Sequence, residues 1–142
     1  MNDDISIVVN IDNRSKKTYI YANDLKVFEF DNVYFTKIVH ALIKNDINFF
    51  LNIKKNFDSV TKNYDSITNT LELYFDKYVN DYIVTLRILI TYTKTRSKDN
   101  KIEIAYELYD RNDYLIFSVT NTHNIRNVTF KKKILKELYE TL

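Results

Sequence analysis

The chain of 142 residues contains neither glycine nor proline. Left-handed turns must therefore be built from other residues, and asparagine and aspartate tolerate that conformation best. The pairs Asn23-Asp24 and Asn80-Asp81 are the strongest predicted turns. The same absence excludes the phosphate loop, the dinucleotide fingerprint and the nucleophile elbow, because each needs a glycine where the backbone turns sharply or approaches a phosphate.

Residues that usually hold metals or act as nucleophiles are also scarce. There is no cysteine, and the two histidines are His40 and His123. Disulfides, zinc fingers, iron–sulfur clusters and thiol nucleophiles are therefore excluded, and two histidines do not make a three-histidine metal site. We expect a protein that is not an enzyme and that uses no cofactor and no metal.

Size and charge favour one ordinary globular unit. The length predicts a single α+β domain over 1–142, and 21 basic against 19 acidic residues give a net charge of only +2. The acidic start at 1–4 lacks the basic region of a secretory signal, and no apolar stretch approaches the ~20 residues of a membrane span. We expect a cytoplasmic protein that has no membrane association.

Residue usage indicates an A/T-rich genome. Asparagine, isoleucine, lysine, tyrosine and phenylalanine have A/T-rich codons and make up half of the chain. Many phages, large DNA viruses and some bacteria of low G/C content have such genomes. We therefore expect a viral, phage or mobile-element accessory protein that works in the cytoplasm of its host cell.

Alternation of apolar and polar residues predicts that most of the chain is β-strand. The strands are predicted over 5–9, 18–22, 25–30, 47–53, 71–75, 82–95, 102–108 and 114–120. The polar stretch 58–66 is predicted to be a connection. The last five strands follow one another through connections too short for parallel crossovers, so they are expected to form an antiparallel meander.

Two segments change to helical spacing. The first predicted helix begins at an N-cap, Asp31, and ends near Asn45. The second covers 130–142, and its apolar face consists of Phe130, Ile134, Leu135, Leu138 and Leu142. The predicted order is βββ-α-βββββ-α, an α+β fold in which a curved antiparallel sheet packs against one or two helices.

This element order resembles that of the helix-grip proteins of the START and Bet v 1 type. The resemblance implies a curved sheet wrapped around the C-terminal helix. The predicted order departs from the family in having one helix before the meander instead of two, and in having an extra N-terminal hairpin. No motif is shared, so the resemblance assigns no residue a role.

Basic residues cluster in three places. The groups are Arg126 with Lys131, Lys132 and Lys133; Lys94, Arg96, Lys98 and Lys101; and Arg14, Lys16 and Lys17. The first group surrounds the start of the C-terminal helix, where the helix dipole adds positive charge and attracts anions. If the three groups converge, they form a stripe that could follow a nucleic-acid backbone. Otherwise they are solvated lysines supplied by the codon usage.

Three functions remain open. The favoured one is a small non-enzymatic protein that binds and blocks a host protein, since exposed tyrosines beside asparagines are typical of binding surfaces. The second is a nucleic-acid-binding regulator that uses the basic groups. The third is a carrier of a small apolar ligand, which requires a cavity beneath the C-terminal helix. Edge strands without proline also favour a homodimer formed by strand addition or through the sheet face.

Overall fold

The computed structural model describes residues 5–93, 100–126 and 130–142. These residues form eight strands and three helices. The strands are β1 (Ile7–Asp12), β2 (Lys17–Ala22), β3 (Leu25–Asp31), β4 (Ser59–Asp65), β5 (Thr70–Val79), β6 (Tyr82–Thr91), β7 (Asn100–Tyr109) and β8 (Leu115–Ile125). The helices are α1 (Tyr34–Ile43), α2 (Ile47–Lys55) and α3 (Lys133–Thr141). No helix in this part of the chain is long and apolar enough to cross a membrane.

The strands form two antiparallel sheets. The smaller sheet has the order β1-β2-β3, and the larger one is a meander in the order β4-β5-β6-β7-β8. Every strand pair is antiparallel. The predicted α+β class with its five-stranded antiparallel meander is therefore confirmed, while the curvature of the sheet stays a prediction.

Asparagine and aspartate form the left-handed turns for which glycine is usually needed, as the sequence predicts. Asn23 and Asp24 have φ values of 49° and 66° and form the turn between β2 and β3. This is the two-residue hairpin geometry that needs two left-handed residues. Asn80, with φ of 53°, turns the chain between β5 and β6. Among the described residues with positive φ, only Lys16 is neither asparagine nor aspartate.

The prediction of a strand over 47–53 is wrong, because this segment forms α2. The carboxylate of Asp46 accepts a hydrogen bond from the Phe49 backbone N–H at 3.2 Å and so caps the helix. Phe50 and Ile53, three residues apart, are the buried residues of the helix. Ile47, Phe50 and Ile53 share one helical face at a three-residue spacing, and packing of Phe50 and Ile53 decided the outcome.

The prediction that 58–66 is a connection is also wrong, since this segment contains β4. Val60, Lys62 and Tyr64 are half-buried, and the residues between them are exposed. This alternation is that of an edge strand with one covered face. The first strand of the meander is therefore β4, which takes the place predicted for 47–53.

The first helix starts later than predicted. Asp31 is the last residue of β3, where it pairs with Lys17, and its carboxylate lies 3.0 Å from the Lys37 ammonium. The helix follows Val33, which provides no side-chain cap. Asp31 therefore does not act as the predicted N-cap. Asn45, with φ of 54°, follows the end of the helix as expected.

The inner face of the larger sheet carries the core. This face forms one hydrophobic cluster with the helices α1, α2 and α3 and with the smaller sheet. The predicted apolar face of α3 is confirmed, because all five of its residues are buried. The residues of the larger sheet with no exposed surface include Leu71, Leu73, Phe75, Leu86, Ile88, Ile90, Ile102, Ile104 and Leu108.

The outer face of the larger sheet carries polar and charged side chains, and several of them contact one another. Arg87 on β6 lies 3.5 Å from both Glu103 and Glu107 on β7. The Tyr74 hydroxyl donates a hydrogen bond to Glu72 at 2.7 Å, and this bond raises the pKa of Tyr74 to about 12. The two faces therefore differ as the alternating sequence predicts.

Candidate functional site

Lys101, the one described residue of its basic group, lies at the same end of the larger sheet as Arg126 and Lys131. Lys101, near the start of β7, pairs with Asn124, so it lies beside the end of β8 and close to Arg126. The Arg126 carbonyl accepts a hydrogen bond from the Phe130 N–H at 3.2 Å, and this bond places Lys131 at the same end. Lys101, Arg126 and Lys131 are all exposed.

The remaining lysines of this group start the C-terminal helix. Lys132 is the N-cap residue and Lys133 is the first helical residue, and both are exposed. The Lys133 ammonium lies 4.0 Å from Glu137, one turn later. A pair this exposed contributes little stability. The first turn of the helix contains no acidic residue to offset the lysines.

The third basic group belongs to the smaller sheet. Arg14 and Lys16 are exposed in the hairpin between β1 and β2, and Lys17 begins β2. The Lys17 ammonium lies 3.7 Å from Glu29 on β3. Of the second group only Lys101 falls within the described residues. The others, which lie outside them, are Lys94, Arg96 and Lys98.

The edge strands differ in how they are protected. Edge strands expose unpaired backbone groups, and charged residues on them normally prevent pairing with other chains. β3 carries Lys26 and Glu29, and β4 carries Lys62 and Asp65. In contrast β8, with 11 residues, has no charged residue, and β1 has only Asp12 at its end. Both β1 and β8 are therefore open to an added strand.

These two uncharged edges border the same apolar cleft, which we call the β1–β8 cleft. It has a volume of about 280 Å³, and Val9 and Ile11 of β1 line it together with Phe117 and Val119 of β8. Val9 pairs directly with Ile20, which is only 1% exposed, so β1 presents these side chains to the inner face. Nevertheless Val9 is 45% and Ile11 is 62% exposed. The inner face of the smaller sheet is therefore incompletely covered here.

No local sequence pattern pointed to the residues of this cleft. The lack of charge over 115–125 was the available signal. Its meaning depends on β8 being at an edge and on β1 lying opposite, and neither fact is contained in the local pattern.

A second concave site, which we call the aromatic cavity, has a volume of about 630 Å³. Phe28 and Phe30 of β3, Tyr34 of α1 and Tyr106 of β7 line it. The rings of Phe30 and Tyr106 are stacked with their centroids 4.8 Å apart. Burial, followed by the nearby Tyr34 and Asp31, raises the pKa of Tyr106. Burial and then the Asp31 charge raise the pKa of Tyr34 to about 12.

The aromatic cavity does not lie where a ligand was expected. The expected place was beneath α3, where Ile134, Leu135 and Leu138 have no exposed surface. None of the residues that line the aromatic cavity belongs to α3.

The described residues contain no group of three or more histidine, aspartate or glutamate side chains arranged to hold a metal ion. The chain matches no protein-family model, no curated protein and no solved structure. α2 supplies the second helix that the predicted element order lacked. The resemblance to helix-grip proteins stays one of element order.

Proposed function

We propose that this chain is a non-enzymatic protein-binding domain that takes an extended segment of a host protein into the β1–β8 cleft. The observation that carries the proposal is a pair of edge strands that face one apolar cleft, of which β8 has no charged residue and β1 has only Asp12. A segment placed there would pair with β8 and become the sixth strand of the larger sheet. Strand addition of this kind is a recurrent mode of peptide recognition.

The two faces of β8 define the chemistry of the segment. Successive residues of an added strand point to opposite faces of the sheet. On the inner side the segment would contact Val9, Ile11 and Phe117. On the outer side it would continue the row of exposed neutral residues that includes Ser118 and Thr120. The best partner segment therefore alternates apolar residues with uncharged polar residues.

The biological setting follows from residue usage. A genome rich in A/T is typical of many phages and large DNA viruses, so the partner is expected to be a protein of the host cytoplasm. A host segment held as a strand in the cleft is unavailable to its own partners. Binding would therefore inhibit the host protein.

A displayed library of random peptides of about 11 residues, the length of β8, tests the proposal. Selected peptides are expected to alternate apolar and uncharged polar residues. Their affinity, measured by fluorescence polarisation, is expected to fall at least about tenfold in Ile11→Lys, because the cleft would bury an ammonium group. The matched control is Ile67→Lys, since Ile67 is 88% exposed in the turn after β4.

Three results would contradict the proposal. The selected peptides could lack any alternating pattern, or Ile67→Lys could weaken binding as much as Ile11→Lys does. The purified chain could also form a dimer, measured by analytical ultracentrifugation, that Ile11→Lys dissociates. That last result would make a second copy of this chain, and not a host protein, the occupant of the cleft.

The second candidate is a nucleic-acid-binding regulator. It is favoured by the meeting of Lys101, Arg126 and Lys131 at one end of the larger sheet. The test is fluorescence polarisation with single-stranded and duplex DNA and RNA at ~50 and ~200 mM salt, because phosphate contacts release counterions. This candidate requires binding that weakens steeply with salt and with Lys131→Glu. Lys55→Glu on α2 is the control.

A further inference from the structure

The aromatic cavity lies where the smaller sheet fails to cover the inner face of the larger one. Along β5 the inner-face residues Leu73 and Phe75 have no exposed surface. Of the next two residues on that face, Lys77 is exposed and Val79 is half-buried, and both line the cavity. The cavity volume of about 630 Å³ falls within the range of roughly 300–1,000 Å³ that is typical of small-molecule sites.

The wall of the cavity is aromatic. The ring centroids of Phe28 and Phe30 lie 5.3 Å and 4.8 Å from that of Tyr106. Phe28 and Phe30 are half-buried, so their rings keep accessible surface beside the cavity. Aromatic faces favour offset stacking with another flat ring. The wall therefore suits a planar aromatic ligand better than a flexible aliphatic one.

The wall also offers a hydrogen-bond donor. Tyr106 is only 5% exposed and lines the cavity. Its hydroxyl makes no hydrogen bond with the residues that the structure describes, and its raised pKa comes from burial and nearby charges alone. The hydroxyl oxygen keeps accessible surface at the cavity, so it can donate a hydrogen bond to water or to an acceptor atom of a ligand.

The charges around the cavity favour an anion. Lys17 and Lys26 share one carboxylate, since their ammonium groups lie 3.7 Å and 3.6 Å from Glu29. Asp31, the other lining carboxylate, is paired at 3.0 Å with a lysine outside the cavity. Lys77 makes no ion pair within the described part of the chain. Positive charge therefore remains in excess on the cavity rim.

We propose that the aromatic cavity binds a small planar aromatic acid. The ring of the ligand stacks against Phe28 and Phe30, and its carboxylate lies near Lys77. An acceptor atom of the ligand accepts a hydrogen bond from the Tyr106 hydroxyl. This site shares Phe30 with the β1–β8 cleft, but its other lining residues are different, and the proposal goes beyond strand binding.

The probe is 2-naphthoate, with binding followed by NMR chemical shifts of the labelled protein. We expect saturable shifts at the backbone amides of Val79 and Val84, and an affinity at least about tenfold lower in Lys77→Glu. Lys77 is exposed, so this variant is expected to fold. Tyr106→Phe keeps the ring and is expected to weaken binding several-fold.

Matched ligands and variants make the test decisive. 2-Naphthylmethylamine tests the need for negative charge, and cyclohexanecarboxylate tests the need for an aromatic ring. Both are expected to bind at least about tenfold more weakly than 2-naphthoate. Lys131→Glu and Ile11→Lys lie outside the cavity and should leave the affinity unchanged. Ile11→Lys also separates this site from the β1–β8 cleft.

The proposal is overturned if 2-naphthoate produces no saturable shifts at Val79 and Val84. It is equally overturned if either comparison ligand binds as tightly as 2-naphthoate. An unchanged affinity in Lys77→Glu, or a larger loss in Lys131→Glu than in Lys77→Glu, would place the ligand elsewhere on the surface.

Discussion

The inner face of the larger sheet is covered in two different ways. α3 lies against β4 and β5, whereas the smaller sheet lies over the region of β6 to β8. The helix-covered region contains residues with no exposed surface, such as Leu71 and Leu138. The sheet-covered region leaves both the aromatic cavity and the β1–β8 cleft, with Val9 and Ile11 exposed.

Strand length contributes to the gaps that the smaller sheet leaves. The strands of the smaller sheet have 6 or 7 residues, whereas β5 to β8 have 10 or 11. Since a strand rises about 3.3 Å per residue, roughly 10 to 16 Å of the longer strands extends past the shorter ones. A small sheet placed on a large one thus leaves accessible apolar surface, and both proposed sites occupy that surface.

The largest effect is expected in the helix-covered region. Leu138→Ala removes a side chain that has no exposed surface. It should lower the free energy of unfolding by about 2–5 kcal/mol, because a cavity remains where the contacts were. Urea denaturation monitored by circular dichroism measures it. A loss below about 1 kcal/mol would show that α3 is loosely packed.

Removing a larger side chain from the sheet-covered region should lower the free energy of unfolding less than Leu138→Ala does. Phe30 stacks on Tyr106 but is half-buried beside the aromatic cavity. We expect Phe30→Ala to lower the free energy of unfolding by about 1–3 kcal/mol, measured in the same way. If Phe30→Ala destabilised the protein more than Leu138→Ala, the contrast between the two regions would be wrong.

High pH is expected to lower the free energy of unfolding, in part through tyrosines of the sheet-covered region. The pKa of Tyr106 is raised, and that of Tyr34 is raised to about 12. An unfolded tyrosine ionises near pH 10, so below about pH 10 both states keep the proton and this stability is fully present. As the pH rises from about 10 through the folded pKa, the unfolded state binds fewer protons and stability is lost.

Urea midpoints at about pH 9 and about pH 11 measure this loss. Tyr106→Phe should show a smaller decline than the wild-type chain, since it removes one of several tyrosines with a raised pKa, among them Tyr34 and Tyr74. Tyr114→Phe is the control, because Tyr114 is 60% exposed. Equal declines in both variants would exclude Tyr106 as a source of the pH dependence.

The smallest effect on stability is expected at the cleft itself. Ile11 is 62% exposed, so Ile11→Lys should change the free energy of unfolding by no more than about 0.5 kcal/mol. Thermal unfolding checks this value. A larger loss would mean that Ile11 stabilises the fold, and its effect on peptide binding would then have to be compared with that of Val9→Lys.

Local chemistry was enough to predict several elements. Asn23, Asp24 and Asn80 form turns because a chain without glycine has few other residues for left-handed backbone. The apolar face of α3 and the antiparallel meander also follow from residue spacing and short connections. These features depend on a few neighbouring residues, so they can be predicted from the sequence.

Where one pattern fitted two structures, packing decided. Residues 47–53 satisfied both the strand and the helix period, and burial of Phe50 and Ile53 selected the helix. Asp31 had the chemistry of an N-cap, but pairing with Lys17 placed it at the end of a strand. A local period carries no information about which neighbour will cover a face.

Both proposed sites depend on tertiary structure alone. The sequence determined that 115–125 lacks charge and that the chain is rich in aromatic residues. Only the strand order made β8 an edge, and only the packing of a short sheet on a long one left space around Tyr106. Edges and cavities arise between segments distant in the chain, and residue spacing within one segment does not encode them.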